Sequence, residues 1–279
     1  MSTPVLEVKG LAKRYPAFCL EDVGFSLSAG RIMGFIGRNG AGKTTTLKSL
    51  LDLVHPNGGS IRFFGMDYAG NERAIRQRIG FASGGVNYYP RRKLKEIAGV
   101  TRLFYDSWDE EAYRRYLAAF GLDEEKKPME LSEGMKVKFN LAMALSHRAE
   151  LLILDEPTSG LDPISRDELL EVFLDLAASG TAILFSTHIT TDLEKCADDI
   201  TYIREGRIKA SSTLDDFLNG YRMIDLPKGT PAPEDALGVS HSRNGISVLL
   251  RAEDADTDGA VRPGLEDIMI HLEKGMEAE

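Results

Sequence analysis

The sequence predicts an α/β domain built on a parallel sheet, followed by a small α/β appendage. Two short, continuously apolar segments, 151–154 and 182–185, read as strands buried on both faces, the mark of a parallel sheet. Between them Asp162-Pro163 opens a helix carrying Leu169, Leu170, Phe173, Leu174 and Ala177, and Gly180 closes it. A third predicted strand, 31–36, runs straight into a glycine-rich loop, 37–42, and out of it into another helix.

The other elements follow in chain order. Strands at 5–9 and 20–27 come first, set off by Gly10, Gly24 and Gly30. The helix after the glycine-rich loop shows Leu47, Leu50, Leu51 and Val54 at i, i+3, i+4 and i+7, and His55-Pro56 ends it. From about 84 to 148 the chain reads as mostly helical, with Leu94, Ile97, Leu103, Phe104, Leu117 and Phe120 among its apolar positions. Residues 199–210 read as a hairpin around Glu205-Gly206. A loop rich in proline and glycine spans 227–233, and Asn244-Gly245 marks a second hairpin between 239–241 and 246–250. Leu265, Ile268, Met269 and Leu272 line a last amphipathic helix. The expected organisation is one domain over 1–210 and an extension over 211–279.

Charge separates the same two parts. Of 34 basic and 43 acidic side chains, residues 1–210 hold 28 and 29, whereas residues 211–279 hold 6 and 14. Nucleic-acid binding needs clustered positive charge, so no nucleic-acid partner is expected. Two cysteines, Cys19 and Cys196, make no disulfide framework, which points to a reducing compartment. The first ten residues lack the charged-then-apolar pattern of a secretory leader. The apolar runs fall far short of the ~18–20 residues of a membrane span. If cargo crosses a bilayer, another chain supplies the path.

The chemistry concentrates at three places. Gly37-Arg38-Asn39-Gly40-Ala41-Gly42-Lys43-Thr44 fits G-x-x-x-x-G-K-[ST] between a strand and a helix. Glycines there let several backbone N–H groups converge on one anion, and the helix N-terminus adds positive potential. Lys43 is placed to bridge β- and γ-phosphates, and the Thr44 hydroxyl to ligate Mg²⁺. The loop is expected to bind a nucleoside triphosphate. At the end of the strand 151–154, Asp155 and Glu156 stand where ligands dock on open α/β sheets. Asp155 would hold the metal through water, and Glu156 would orient or deprotonate the attacking water. His188 ends the next apolar strand, 33 residues after Asp155, within reach of a γ-phosphate.

Two further segments complete a resemblance to the ABC ATPases. Leu131-Ser132-Glu133-Gly134-Met135 looks like the family's signature loop, and Ser159-Gly160-Leu161-Asp162 like its D-loop. Tyr15 occupies the place of the aromatic that stacks on adenine. The likeness covers roughly residues 5–210, with the motifs in the family's order. It implies a P-loop NTPase (RecA-like) core with an antiparallel β subdomain and an inserted helical subdomain at about 84–148. It also implies ATP contacts from Tyr15, the loop 37–44 and Thr45, with Mg²⁺ at Thr44 and Asp155 and catalysis by Glu156 and His188. A head-to-tail dimer would place each ATP against Ser132, Gly134 and Asp162 of the other subunit. The partners implied are a second nucleotide-binding subunit, identical or homologous, and a transmembrane permease on a separate chain, which places the protein on the cytoplasmic face of the membrane.

The residues leave some readings open. Ser132 and Asp162 are also good helix N-caps. Tyr15 also fits an ordinary strand. Arg91, Arg92, Lys93 and Lys95 suit either a solvated face or the neighbourhood of anionic lipid. Two departures stand out. Glu133 and Met135 replace the usual glycine and glutamine of the signature, and Gly84 stands where the family carries a metal-shell glutamine. A transporter motor, expected to be an exporter, is therefore weighed against a nucleotide-binding regulatory subunit with little turnover. Glu156 and His188 favour the motor.

Overall fold

The computed structural model describes residues 3–83, 89–254 and 259–275. Contacts divide the chain into two units, Met1–His188 with Thr201–Ser211, and Ile189–Ile200 with Ser212–Glu279. Gly84 lies outside the described residues.

The chain opens with β1 (Leu6–Tyr15), β2 (Phe18–Leu27) and β3 (Ile32–Ile36), then α1 (Lys43–Leu50), β4 (Gly58–Phe63), β5 (Met66–Asp67), α2 (Glu72–Arg76) and β6 (Ile79–Ser83). Helices α3 (Leu94–Thr101), α4 (Glu110–Ala119) and α5 (Glu133–Ser146) come next, followed by β7 (Leu151–Asp155), α6 (Pro163–Ala178) and β8 (Ala182–Thr187). After α7 (Thr190–Cys196), β9 (Asp199–Arg204) and β10 (Arg207–Thr213) follow, joined at Glu205-Gly206.

Two sheets organise the first unit. An antiparallel sheet runs β2-β1-β4-β5, and a six-stranded sheet runs β10-β9-β3-β8-β7-β6. Within the latter, β3, β8, β7 and β6 are mutually parallel. All five residues of β3 and all six of β8 are buried, the apolar run 182–185 as predicted and Ser186 and Thr187 with it. Phe25 and Phe35 meet at 5.4 Å between ring centres in a core shared with Leu6, Leu47, Leu50 and Phe63. A second core ties the three helices together through Leu94, Ile97, Tyr113, Leu117, Phe139 and Met143.

Two local expectations are corrected. The first strand does not stop near Gly10. Gly10 takes φ +59°, and register shifts on either side of Leu11 absorb it, so β1 continues to Tyr15. Helix α1 ends at Leu50, well before His55-Pro56, because Asp52 turns left-handed at φ +57°. The strands β4 and β5 carry little apolar alternation and were not legible locally. Of the basic cluster, Lys93 and Lys95 both pair with Glu125, and Arg92 approaches Glu96 at 3.9 Å. The two lysines hold the Glu125 carboxyl down at about 2. Glu125 and Glu96 thus offset part of the positive charge of this surface.

The second unit holds α8 (Leu214–Asn219), β11 (Tyr221–Pro227), β12 (Gly238–His241), β13 (Gly245–Arg251) and α9 (Leu265–Gly275). Its antiparallel sheet runs β11-β13-β12. The Asn244-Gly245 turn lies where expected, with the Ser242 N–H donating to Gly245 O at 2.9 Å. Ile224, Val248 and Leu250 form its small core. Among the described residues no helix is long and apolar enough to cross a membrane.

Candidate functional site

The glycine-rich loop joins β3 to α1, and close backbone approach dictates its composition. A Cβ on Gly37 would stand 2.2 Å from the Ile203 carbonyl oxygen. One on Gly42, where φ is +114°, would meet Leu20 Cδ2 at 2.6 Å and Phe18 Cζ at 2.9 Å. Only glycine fits at either position. The loop is pinned by the Ala41 N–H donating to Arg38 O at 3.1 Å and the Gly206 N–H donating to Ala41 O at 3.0 Å. The Thr46 N–H and hydroxyl both close on Gly42 O at 2.9 Å. Lys43 is buried, and its ammonium donates to Gly37 O at 2.7 Å and Arg38 O at 3.3 Å.

Parallel register brings the acidic pair to this loop. Asp155 ends β7 directly opposite Ser186 of β8, on the same sheet edge where β3 delivers the loop. The Thr44 hydroxyl, at the start of α1, donates to Asp155 Oδ1 at 3.3 Å, and the Ser186 hydroxyl donates to the same oxygen at 2.7 Å. Glu156 follows with φ +52°, a left-handed backbone that an ordinary residue adopts only when its surroundings hold it there. Its carboxylate lies 3.7 Å from Lys43 Nζ through Oε1 and 2.8 Å from His188 Nδ1 through Oε2.

These groups border a cleft of ≈ 690 Å³ lined by Arg38, Asn39, Gly40, Gly42, Lys43, Thr44 and Thr45 on one side and Glu156 and His188 on another. Gly37 and Ala41 lie behind this lining as buried parts of the loop. Ala17, Phe18 and Ser159 also line the cleft. Tyr15 lies outside the lining, paired across its hairpin with Phe18 and covered by the Lys13 ammonium 5.4 Å from its ring centre. Phe18 escaped the sequence reading, although its position across a short turn from Tyr15 is a usable signal. Ser186 escaped it too, since a serine inside an apolar strand carries no motif.

The remaining predicted residues sit elsewhere. Ser132 caps α5, accepting the Met135 N–H at 3.3 Å, and Gly134 packs close to Leu161. Asp162 caps α6, accepting the N–H groups of Ile164 at 3.0 Å and Ser165 at 3.1 Å and the Ser165 hydroxyl at 2.6 Å. Those donors hold its carboxyl below the usual range, led by the Ser165 hydroxyl. None of the three lines the cleft.

Among the described residues no group of three or more acidic, histidine or cysteine side chains is arranged to hold a metal alone. The Thr44 hydroxyl and Asp155 carboxylate are instead two hard oxygen donors beside a phosphate loop. That set fits Mg²⁺, which takes its other ligands from water and phosphate oxygens.

A phosphate loop leaving a central parallel strand, with an acidic strand end beside it, defines a P-loop nucleoside triphosphatase. The ABC transporter family model matches residues 20–159, half of the chain. A bacitracin transport ATP-binding protein of Bacillus licheniformis is 35% identical over 212 residues, 75% of this chain and 69% of the relative. A Nod factor export ATP-binding protein of Burkholderia orbicola is 37% identical over 214 residues, 74% and 70% of the respective chains. The solved structure of an ATP-binding subunit of an ABC transporter superposes with a TM-score of 0.69 at 35% identity, covering 76% of this chain and 91% of that one. The chain belongs to the ATP-binding subunits of ABC transporters. In that family the domain binds and hydrolyses ATP to drive transport. A dimeric cassette bound to ADP and Pi has the same fold, with a TM-score of 0.66 at 20% identity.

Proposed function

We propose that this chain is the ATPase subunit of an exporter, working as a head-to-tail pair with a second copy or a homologous subunit beneath a separate transmembrane permease. It then acts at the cytoplasmic face of the membrane. The observation that carries the reading is the convergence of Lys43, Glu156 and His188 on one cleft beside the Thr44–Asp155 pair. Export is supported by the bacitracin transport and Nod factor export relatives.

In this reading the N–H groups of the loop 37–45 cradle the ATP phosphates, and Lys43 leaves its carbonyl partners for the β- and γ-phosphates. Thr44 and, through water, Asp155 would hold Mg²⁺, which when bound would draw charge from the phosphate oxygens. Glu156 orients and deprotonates the attacking water, and His188 donates to the γ-phosphate. The α5 N-terminus of the second subunit, with Ser132 and Gly134, covers γ-phosphate charge that one subunit leaves open, and Asp162 lies at the same junction. Tyr15 stacks on the adenine from the hairpin that also sets Phe18 in the cleft lining.

The permease surface is assigned to the helical region. Tyr89, Val100 and Phe104 are exposed there around a groove of ≈ 700 Å³ that Arg92 and Glu96 also line. Steady-state ATP hydrolysis by the purified subunit, alone and with its co-purified membrane protein, tests the reading. Turnover that rises with the permease supports it. Binding of ATP with no turnover in either state would favour a regulatory subunit instead.

A further inference from the structure

Ser186 holds both acidic residues of the site through one hydroxyl. Parallel pairing sets Ser186 of β8 opposite Asp155 of β7, so their side chains leave the sheet on the same face. A serine hydroxyl has one proton to give and lone pairs to accept with. Here the proton goes to Asp155 Oδ1 at 2.7 Å, and the oxygen accepts the Glu156 N–H at 3.1 Å. The same N–H also reaches the Ser186 carbonyl oxygen at 3.1 Å.

Three features separate this from a buried hydroxyl that merely finds a partner. Ser186 has no solvent exposure, so water does not compete for its bonds. Glu156 sits at φ +52°, and the two bonds from its N–H are what tie that unusual backbone to the neighbouring strand. Finally, Asp155 Oδ1 receives two hydroxyls of different standing. Thr44 is exposed at 3.3 Å, while Ser186 is enclosed at 2.7 Å. If Thr44 turns to a metal, the Ser186 bond keeps the Asp155 carboxylate oriented.

We propose that Ser186 is a positioning residue for ATP hydrolysis, whose hydroxyl fixes the Asp155 carboxylate and the Glu156 backbone in one arrangement. This rests on the roles proposed above for Asp155 and Glu156. Ser186 is fully buried and does not line the cleft. It acts by setting the direction from which the Glu156 carboxylate enters the cleft.

The test uses the full chain with Ser186→Ala, Ser186→Thr, Glu156→Gln and the Ser186→Ala/Glu156→Gln double variant. Single-turnover hydrolysis of labelled ATP keeps residual rates measurable. Ser186→Ala is expected to lower kcat about ten- to a hundredfold with the ATP KM changed less than about twofold. Ser186→Thr, which restores a hydroxyl, recovers turnover. In the Glu156→Gln background the same Ser186→Ala change costs clearly less than in the wild type, because the base held through the Glu156 backbone is already gone and only the Asp155 contact is left to lose. Wild-type kcat in Ser186→Ala, with Glu156→Gln impaired, overturns the proposal. So does a full multiplicative loss in the double variant, which would mark a general packing role. Normal turnover in Glu156→Gln removes the reading on which the proposal stands, and the proposal with it.

Discussion

The Lys43 ammonium stands 3.7 Å from the Glu156 carboxylate, although the two residues are 113 positions apart. Lys43 is buried, and its other contacts are two carbonyl oxygens of its own loop. A buried ammonium needs such partners, because isolated charge is costly away from water. A phosphate carries more charge than those carbonyl oxygens and competes for the ammonium on favourable terms.

Removing that ammonium weakens nucleotide binding. Lys43→Ala is expected to lower ATP affinity roughly ten- to a hundredfold, since a charged hydrogen bond contributes ~1.5–3 kcal/mol. Isothermal titration calorimetry reads this directly. Unchanged affinity would count against the phosphate-loop assignment.

Glu156→Gln separates binding from turnover. It keeps shape and hydrogen bonding but loses the base, so turnover should fall by roughly 10²–10⁴-fold while ATP affinity is retained. With hydrolysis blocked, an ATP-dependent dimer should accumulate on size-exclusion chromatography. Near-normal turnover would show that the base lies elsewhere.

The shared-site arrangement predicts rescue between two inactive chains. Ser132→Arg should spare ATP binding yet abolish hydrolysis, because in that arrangement the residue serves the other subunit's nucleotide. Mixed with Lys43→Ala chains, one composite site carries both defects and the other neither. Partial activity should return in that mixture. Its absence, with mixed dimers demonstrated by cross-linking, would refute the head-to-tail model.

Stability should fall in mild acid because of His147. The imidazole is buried, stacked on Tyr105 at 3.7 Å, and bonded through Nδ1 to Gln77 O at 3.2 Å. Burial pushes its pKa down from 6.5 to about 4, more strongly than its backbone hydrogen bonds raise it. The unfolded chain therefore binds a proton that the folded chain refuses. Stability from this group is complete above pH 6.5 and is lost as pH falls towards 4, a change of about 3 kcal/mol. Denaturant unfolding between pH 7 and 4 measures it. His147→Asn, which keeps a donor for Gln77, should flatten that part of the profile, and an unchanged slope would acquit His147.

Much of the fold follows from local sequence. Unbroken apolar runs mark β7 and β8, Asp162-Pro163 opens α6, and Asn244-Gly245 turns β12 into β13, each for reasons contained within a few residues. The loop 37–44 is equally legible as a pattern, although Gly37 and Gly42 answer to distant neighbours, Ile203, Leu20 and Phe18. Other features depend on contacts across the chain. β1 runs past Gly10 only because β2 and β4 pair with it on either side, and β4 is a strand despite Gly58 and Gly59 because β1 supplies its hydrogen bonds. Sequence spacing likewise says nothing of what fills the gap between the motifs. The 3.7 Å approach of Lys43 to Glu156 and the Ser186 hydroxyl shared between Asp155 and Glu156 both arise from parallel strand register. Register is set by the packing of whole strands, so a lone serine in an apolar run acquires its partners only when the sheet closes.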